Sequence, residues 1–296
     1  MPLPISRAGS ARLLFPRAAL GACIFVGMER DTRARALTDD QRFNYFPASP
    51  LAVVSWIFDG TIHMVEERGT DGVPVLGPPL PRLFLTGPQR RPFASWSPGP
   101  VQVLSVAFYP EALARLTGAG ADQLVDRVRP LEEVASGLFL TACRSLFDHG
   151  ADGEPFLRLE EGLEPLWSGP RPRDARAAPL LGDWLRTLAA KAVLSRAGHG
   201  VRQIQRRIKI ATGQSQRDLQ LFARVEEAVV RASATRDGTP LDLAALAGDA
   251  GFADQSHMGR DIRRVTGLSP GRLDERVAKD EAFWFYRLIG ESLGGR

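Results

Sequence analysis

One long-range repeat constrains the fold of this chain more than any other feature of its sequence. Residues 206–219, RRIKIATGQSQRDL, lie over residues 260–273, RDIRRVTGLSPGRL, at an offset of 54 without a gap, and six of the fourteen positions are identical. Each shared residue type has a structural task. Ile208 and Ile262 are apolar positions that face inward in a helix. Gly213 and Gly267 suit the left-handed residue that ends a helix. Ser215 and Ser269 can cap the following helix, and Pro270 fits its first position. The repeat therefore predicts one helical unit built twice.

Each copy reads as a helix-turn-helix. In the second, TPLDLAALAGDAGF opens with Thr239 as N-cap, Pro240 at the first helical position and Asp242 near the positive helix end. Leu243, Leu246, Ala247 and Ala250 recur at helical spacing, Gly251 breaks the helix and Phe252 anchors the turn. A second helix is predicted from about Asp254 to Thr266. Met258, Ile262 and Val265 form its buried stripe; Ser256, Arg260 and Arg263 lie opposite, flanked by Gln255, His257, Gly259 and Arg264. In the first copy, AKAVLSRAGHG ends a helix, and VRQIQRRIKIAT buries Val201, Ile204, Ile208 and Ala211. Its outer face carries Arg202, Gln205, Arg206 and Lys209.

Such outer faces suit a DNA duplex. Short polar residues at a helix start can approach base edges, an arginine one turn later can bond guanine bidentately, and basic residues beyond it can hold phosphates. A single basic face is equally well explained by solvation. Two at one offset, each with a turn glycine and a polar start, point to DNA. Charge agrees in direction: from residue 180 onward 19 Lys and Arg stand against 14 Asp and Glu, whereas the preceding residues hold 19 against 20. The excess is modest and says little by itself. The long helix expected at QRDLQLFARVEEAVVRA would let the two units enter successive major grooves, about 34 Å apart on one duplex face.

The stretch GFADQSHMGRDIRRVTGLSP closely resembles the second helix-turn-helix signature of the AraC-type transcription regulators, and the chain from about Leu180 to Val277 resembles that family's double unit. The resemblance implies a bihelical DNA-binding domain preceded by an N-terminal domain for effector binding, dimerisation or both. By motif position, Ser256, His257 and Arg260 match the base-reading positions of the second unit, and Arg202, Gln205 and Arg206 those of the first. The chain departs from the family pattern at Met258 and Ile262, where an aromatic is usual, and at Gly259, where a small polar residue is usual. Gly248 inside a helix costs about 1 kcal/mol relative to alanine.

The first half has a different texture. LGACIFVGM, LAVVSWIFDG, TIHMVEE, PRLFLTG and VQVLSVAFY are short β-branched or aromatic runs punctuated by Gly, Pro and Asp. After Tyr109, PEALARLTG and LEEVASGLFLTACRSLFDHG show helical spacing. GLEPLWSGPRPRDARAAP, with four prolines, reads as a linker. The expected class is α+β: residues 1–165 as a β-rich effector-binding or dimerisation domain, 166–179 as linker, and 180–296 as an all-α double helix-turn-helix domain. ERDTRAR, FNYFPASPLAVVSW and LTGPQRRPF resemble the sensor-type domain that precedes this regulator domain in one bacterial subgroup. A cupin-like barrel is expected there by analogy.

Several function classes are disfavoured. The four histidines, His63, His149, His199 and His257, show no metal-ligand spacing. The cysteines, Cys23 and Cys143, have no basic cluster beside them and no disulfide or metal pattern, so no metal, cofactor or thiol catalysis is expected, and a reducing cytoplasmic compartment fits. The apolar run AALGACIFVGM is far shorter than the roughly 20 residues of a membrane span, and a buried strand accounts for it. Trp56, Phe58, Phe84, Trp96 and Phe108 are candidates for lining an effector pocket, although such aromatics are more often plain core. GPQRRPF reads as a solvated turn, with an anion site as its alternative. The predicted function is a sequence-specific one-component regulator that binds double-stranded DNA and a small molecule, with a homodimer within reach. The competing readings are a ligand-independent regulator switched by a protein partner and an enzyme with an accessory helical domain.

Overall fold

The computed structural model describes residues 7–8, 10–68, 74–148, 154–169, 180–194, 201–234 and 242–294. Among the described residues, the N-terminal part is built on eleven strands: β1 (Arg7–Ala8), β2 (Ala11–Leu14), β3 (Ile24–Asp31), β4 (Phe43–Phe46), β5 (Ala52–Asp59), β6 (His63–Arg68), β7 (Pro74–Pro79), β8 (Leu83–Thr86), β9 (Phe93–Trp96), β10 (Gln102–Phe108) and β11 (Val128–Pro130). They form two antiparallel sheets, one of seven strands in the order β1-β2-β3-β10-β5-β8-β11 and one of four in the order β4-β9-β6-β7. The five runs read as strands become β3, β5, β6, β8 and β10. β10 lies between β3 and β5, and its Leu104, Val106 and Phe108 have no exposed surface.

Four short helices follow or flank the sheets: α1 (Pro110–Thr117), α2 (Ala121–Leu124), α3 (Gly137–Arg144) and α4 (Pro155–Leu163). Pro110 starts α1 where its missing N–H is no loss. The helical pattern over residues 131–150 is broken. Leu131–Glu133 and Ser145–Phe147 are 3-10 turns on either side of α3, and His149 lies outside the described residues. α3 covers the large sheet, where the Trp56 Nε1–H donates to the Cys143 carbonyl at 2.7 Å. α4 presses Phe156 onto Gly27, where a Cβ would meet the phenyl ring at 2.6 Å.

The remaining described residues form mainly helices: α5 (Leu181–Leu194), α6 (Val201–Thr212), α7 (Gln216–Ala234), α8 (Leu243–Asp249), α9 (Gln255–Thr266), α10 (Pro270–Lys279) and α11 (Trp284–Gly294). One continuous core runs through both parts, from Leu13 and Val54 to Val225, Ile262 and Leu288. The helical part is docked on the sheets at several points. Tyr45 stacks on Phe283 at 4.8 Å, and the Trp284 Nε1–H donates to Asn44 Oδ1 at 2.7 Å. Trp184 on α5 donates to Glu111 on α1 at 2.9 Å. The segment 47–51 between β4 and β5 reaches both helical units: the Ala48 N–H donates to the Val265 carbonyl at 2.8 Å, and Gln214 Nε2 donates to the Ser49 carbonyl at 3.4 Å.

The two sheets and the helical part line a cavity of about 230 Å³. Phe46 and Phe84 contribute from the sheets; Phe222 of α7, Val265 of α9 and Trp284 of α11 contribute from the helices.

Candidate nucleic-acid interface

The two repeat copies fold with the same bonds at the same offset. In the first, the Thr212 hydroxyl donates to the Ile208 carbonyl at 2.8 Å and accepts from the Gln214 N–H at 3.2 Å; in the second, Thr266 does the same with Ile262 at 2.8 Å and Leu268 at 3.2 Å. The Gly213 N–H closes on the Lys209 carbonyl and the Gly267 N–H on that of Arg263, both at 2.8 Å. Both glycines are left-handed, with φ of 73° and 80°, a region that penalises any side chain. The copies differ in one cap. The Ser215 hydroxyl accepts from the Asp218 N–H at 3.2 Å and donates to its carboxylate at 2.6 Å, whereas Ser269 makes no side-chain cap and has Arg272 at the position matching Asp218.

In the second unit, α8 starts later than its sequence suggests. Thr239 and Pro240 lie outside the described residues, and the cap is Asp242, whose carboxylate accepts from the N–H groups of Ala244 at 3.0 Å and Ala245 at 3.1 Å. A carboxylate there satisfies two otherwise unpaired amides and opposes the positive helix end. Gly251 turns the chain at φ 75° and Phe252 is buried beneath the turn. Asp254 caps α9 by accepting from the His257 N–H at 2.6 Å. Met258, Ile262 and Val265 are buried as the periodicity predicted.

The outer residues of α9 divide into two sets. Gln255, Ser256, Arg260 and Arg263 are exposed. His257 is half-buried, with its ring edge-on to Phe252 and its Nε2 3.4 Å from Asp261. Asp261 also pairs with Arg224 of α7 at 3.1 Å, and Arg264 pairs with Asp218 at 2.6 Å. Arg264 and Asp261 thus fasten α9 to α7, while among the described residues Arg260 and Arg263 have no carboxylate partner. α6 likewise carries an exposed polar face. Arg202, Gln205, Arg206 and Lys209 are exposed, Ile208 is buried and Ile204 and Ala211 are half-buried. The side chain of Val201 and the GHG turn with His199 lie outside the described residues. Ile210, exposed at 58%, stands on α6 where α9 has Arg264.

Gly248 lies within α8, and a Cβ there would meet nothing within 4 Å. Gly248→Ala is therefore expected to stabilise the protein by about 0.5–1 kcal/mol, read as a higher urea midpoint. A loss instead would show that the glycine serves a conformation α8 does not display.

The five aromatic pocket candidates separate. Phe84 lines the cavity. Trp56 and Phe108 have no exposed surface; Phe108 packs edge-on against Phe139, so both are core. Phe58 packs on Phe147, and Trp96 lies against Phe43 and His63 with its N–H on the Asp39 carbonyl at 3.2 Å. Strand alternation explains this: Trp56 and Phe58 share one face of β5, and Ser55 on the other face lines the cavity. Arg90 in the turn after β8 is engaged by Asp126 at 2.6 Å. Both cysteines are fully buried, and burial pushes the Cys23 thiol up to about 12 and that of Cys143 in the same direction. Neither has the lowered pKa of a nucleophilic thiol.

Residues 193–276 match the family of helix-turn-helix domains, and residues 45–130 match a domain of unknown function, DUF6597. No curated protein matches the chain. Among solved structures, an apo variant of ToxT from Vibrio cholerae is 12% identical, with 90% of this chain and 97% of that one covered and a TM-score of 0.37. The AraC-like transcriptional activator CuxR is 12% identical over 97% of this chain and 83% of its own, with a TM-score of 0.25. A variant of the Bacillus subtilis oxalate decarboxylase OxdC is 10% identical over 43% of this chain and 41% of its own, with a TM-score of 0.22. Among the described residues, no helix is long and apolar enough to cross a membrane.

Proposed function

We infer that this chain, whose C-terminal region is an AraC-type helix-turn-helix domain and which is a DNA-binding transcription regulator, reads its operator with both helical units and answers to a small molecule in the cytoplasm. Residues 180–296 form the reading part, 1–165 the sensing part and 166–179 the connection. Ser256, His257 and Arg260 of α9, and Arg202, Gln205 and Arg206 of α6, face base edges in two adjacent major grooves; Gln255 flanks them, and Lys209 and Arg263 hold phosphates.

The observation that carries this reading is the exposed basic face repeated at the 54-residue offset, whose Arg206 and Arg260 have no carboxylate partner among the described residues. Neighbouring arginines, Arg224 and Arg264, are taken up by carboxylates, whereas Arg206 and Arg260 are exposed to solvent at equivalent positions. Leaving matched cations unneutralised on both copies suits a polyanion that spans them. The cavity supports the small-molecule part, since its wall includes α7, which joins the two units. A ligand with different affinity for two arrangements of that wall changes the fit to DNA by that difference.

The test is the salt dependence of binding to the preferred duplex. Arg263→Ala is expected to weaken all sequences nearly alike and to shrink the slope of log K against log salt by about 0.9, the release of one condensed counterion. An unchanged slope removes Arg263 from the phosphate contacts. A wild-type slope near zero would remove DNA altogether.

A further inference from the structure

We propose that the cavity between the sheets and the helices takes an uncharged, largely apolar molecule carrying one carbonyl or hydroxyl oxygen, recognised by the paired hydroxyls of Ser55 and Ser105. This rests on the reading that the cavity is the effector site and names the chemistry of what fills it.

Strand register builds the polar spot. Met28, Ser105, Ser55 and Phe84 are successive partners across β3, β10, β5 and β8, and all four line the cavity. The two hydroxyls are 2.9 Å apart. Two hydroxyls bring two hydrogens, and the bond between them uses one. The pair therefore has a donor to spare as well as lone pairs, set between a thioether and a phenyl ring. Ser55 is 4% exposed, so an unused donor there is costly until a ligand atom meets it. Tyr286, also 4% exposed and also lining the cavity, has a hydroxyl without a partner among the described residues.

The charged groups of the lining are already engaged. Arg30 donates to Glu281 at 3.0 Å and to Ser10, and lies 4.8 Å over the Trp284 ring. Glu226 accepts from the Leu181 N–H at 2.7 Å. The amides are used too: Asn44 accepts from Trp284 at 2.7 Å, and Gln89 donates to the Gly87 carbonyl at 3.0 Å. Arg30 is already paired with Glu281, which weakens its pull on an anion, and a cation would have to take Glu226 from the start of α5. A neutral oxygen needs neither group. The volume of about 230 Å³ lies below the roughly 300–1,000 Å³ of drug-sized sites, which selects a small ligand.

The experiment titrates the full-length protein, without DNA, by calorimetry with four probes of one shape: para-tert-butylacetophenone, para-tert-butylbenzoate, para-tert-butylbenzylammonium and para-tert-butylcumene. The ketone is expected to bind most tightly, the hydrocarbon less and the two ions least. In Ser55→Ala/Ser105→Ala the ketone should lose roughly fivefold in affinity, about the worth of one neutral hydrogen bond, while the hydrocarbon is unchanged. Removing both partners together is close to neutral for folding, and the wild-type ranking decides the charge class without any variant. Tighter binding of either ion, an unaltered ketone affinity in the double variant, or no binding of any probe overturns the proposal. Because no DNA is present, such a failure leaves the DNA reading standing, and a protein that ignores DNA can still bind the ketone.

Discussion

Replacing Arg206 and Arg260 together by alanine is expected to remove nearly all preference for the cognate duplex. A bidentate arginine–guanine contact carries about 1–3 kcal/mol of discrimination, and sites on separate units add, so the pair should cost about 2–6 kcal/mol. Both side chains are exposed, so the fold should be unaffected. Weak binding to arbitrary sequence should persist, carried by the remaining basic residues. The comparison that gives this meaning is Arg264→Ala. Arg264 is held by Asp218, so its loss should loosen α9 from α7 rather than relax preference at one base. If the double variant weakens every duplex equally, Arg206 and Arg260 are phosphate contacts and the base readers lie elsewhere on the two helices.

Glu281→Ala is expected to cost about 3–5 kcal/mol of stability, more than any other single change considered, because it strands a buried cation. The Arg30 side chain is 6% exposed, its Nε has no partner among the described residues, and its guanidinium pairs with Glu281 at 3.0 Å. Burial pulls the Arg30 pKa down, and the Glu281 carboxylate opposes that pull. Glu281 also holds Arg287 at 2.9 Å, so one carboxylate ties β3 to the start of α11. Arg30→Met/Glu281→Leu should recover much of the loss, since replacing a buried pair by apolar groups is close to neutral. Urea unfolding of the three variants measures this. A loss in Glu281→Ala of less than about 1 kcal/mol would mean that the pair behaves as a solvated surface bridge.

The parts of this molecule legible in its sequence are those fixed by local chemistry. Left-handed glycines at Gly213 and Gly267, the cap at Ser215, and the buried stripe of α9 all follow from residues within one or two turns of each other. The central strands were legible because β-branched runs have few alternatives. β4, β7 and β9 were not: FNYF is short, PVLGPP is proline-rich, and FASW has one aromatic at each end of a four-residue strand. The start of α8 at Leu243 is not marked uniquely in the sequence, because Thr239-Pro240 and Asp242 both carry capping chemistry. Most of the pocket-candidate aromatics are plain core, the commoner outcome for such residues, for a related reason. Large rings are drawn to whichever face is most enclosed, and here that is the face under α3, where Trp56 meets Cys143. The polar centre of the cavity joins Ser55 to Ser105 across 50 residues. Only the register of two strands brings them together, and two isolated serines carry no local mark of it. The same holds for Ala48 and Val265, the contact that places segment 47–51 against the end of α9.

If two copies of one unit read one stretch of duplex together, hydroxyl-radical footprinting of the full-length protein on its preferred site shows two protected patches on the same face of the duplex, about 34 Å apart, corresponding to successive major grooves. Arg206→Ala should weaken one patch and Arg260→Ala the other. A single patch lost with either substitution would contradict joint reading, because one unit would then read DNA while its repeat served only to hold the fold.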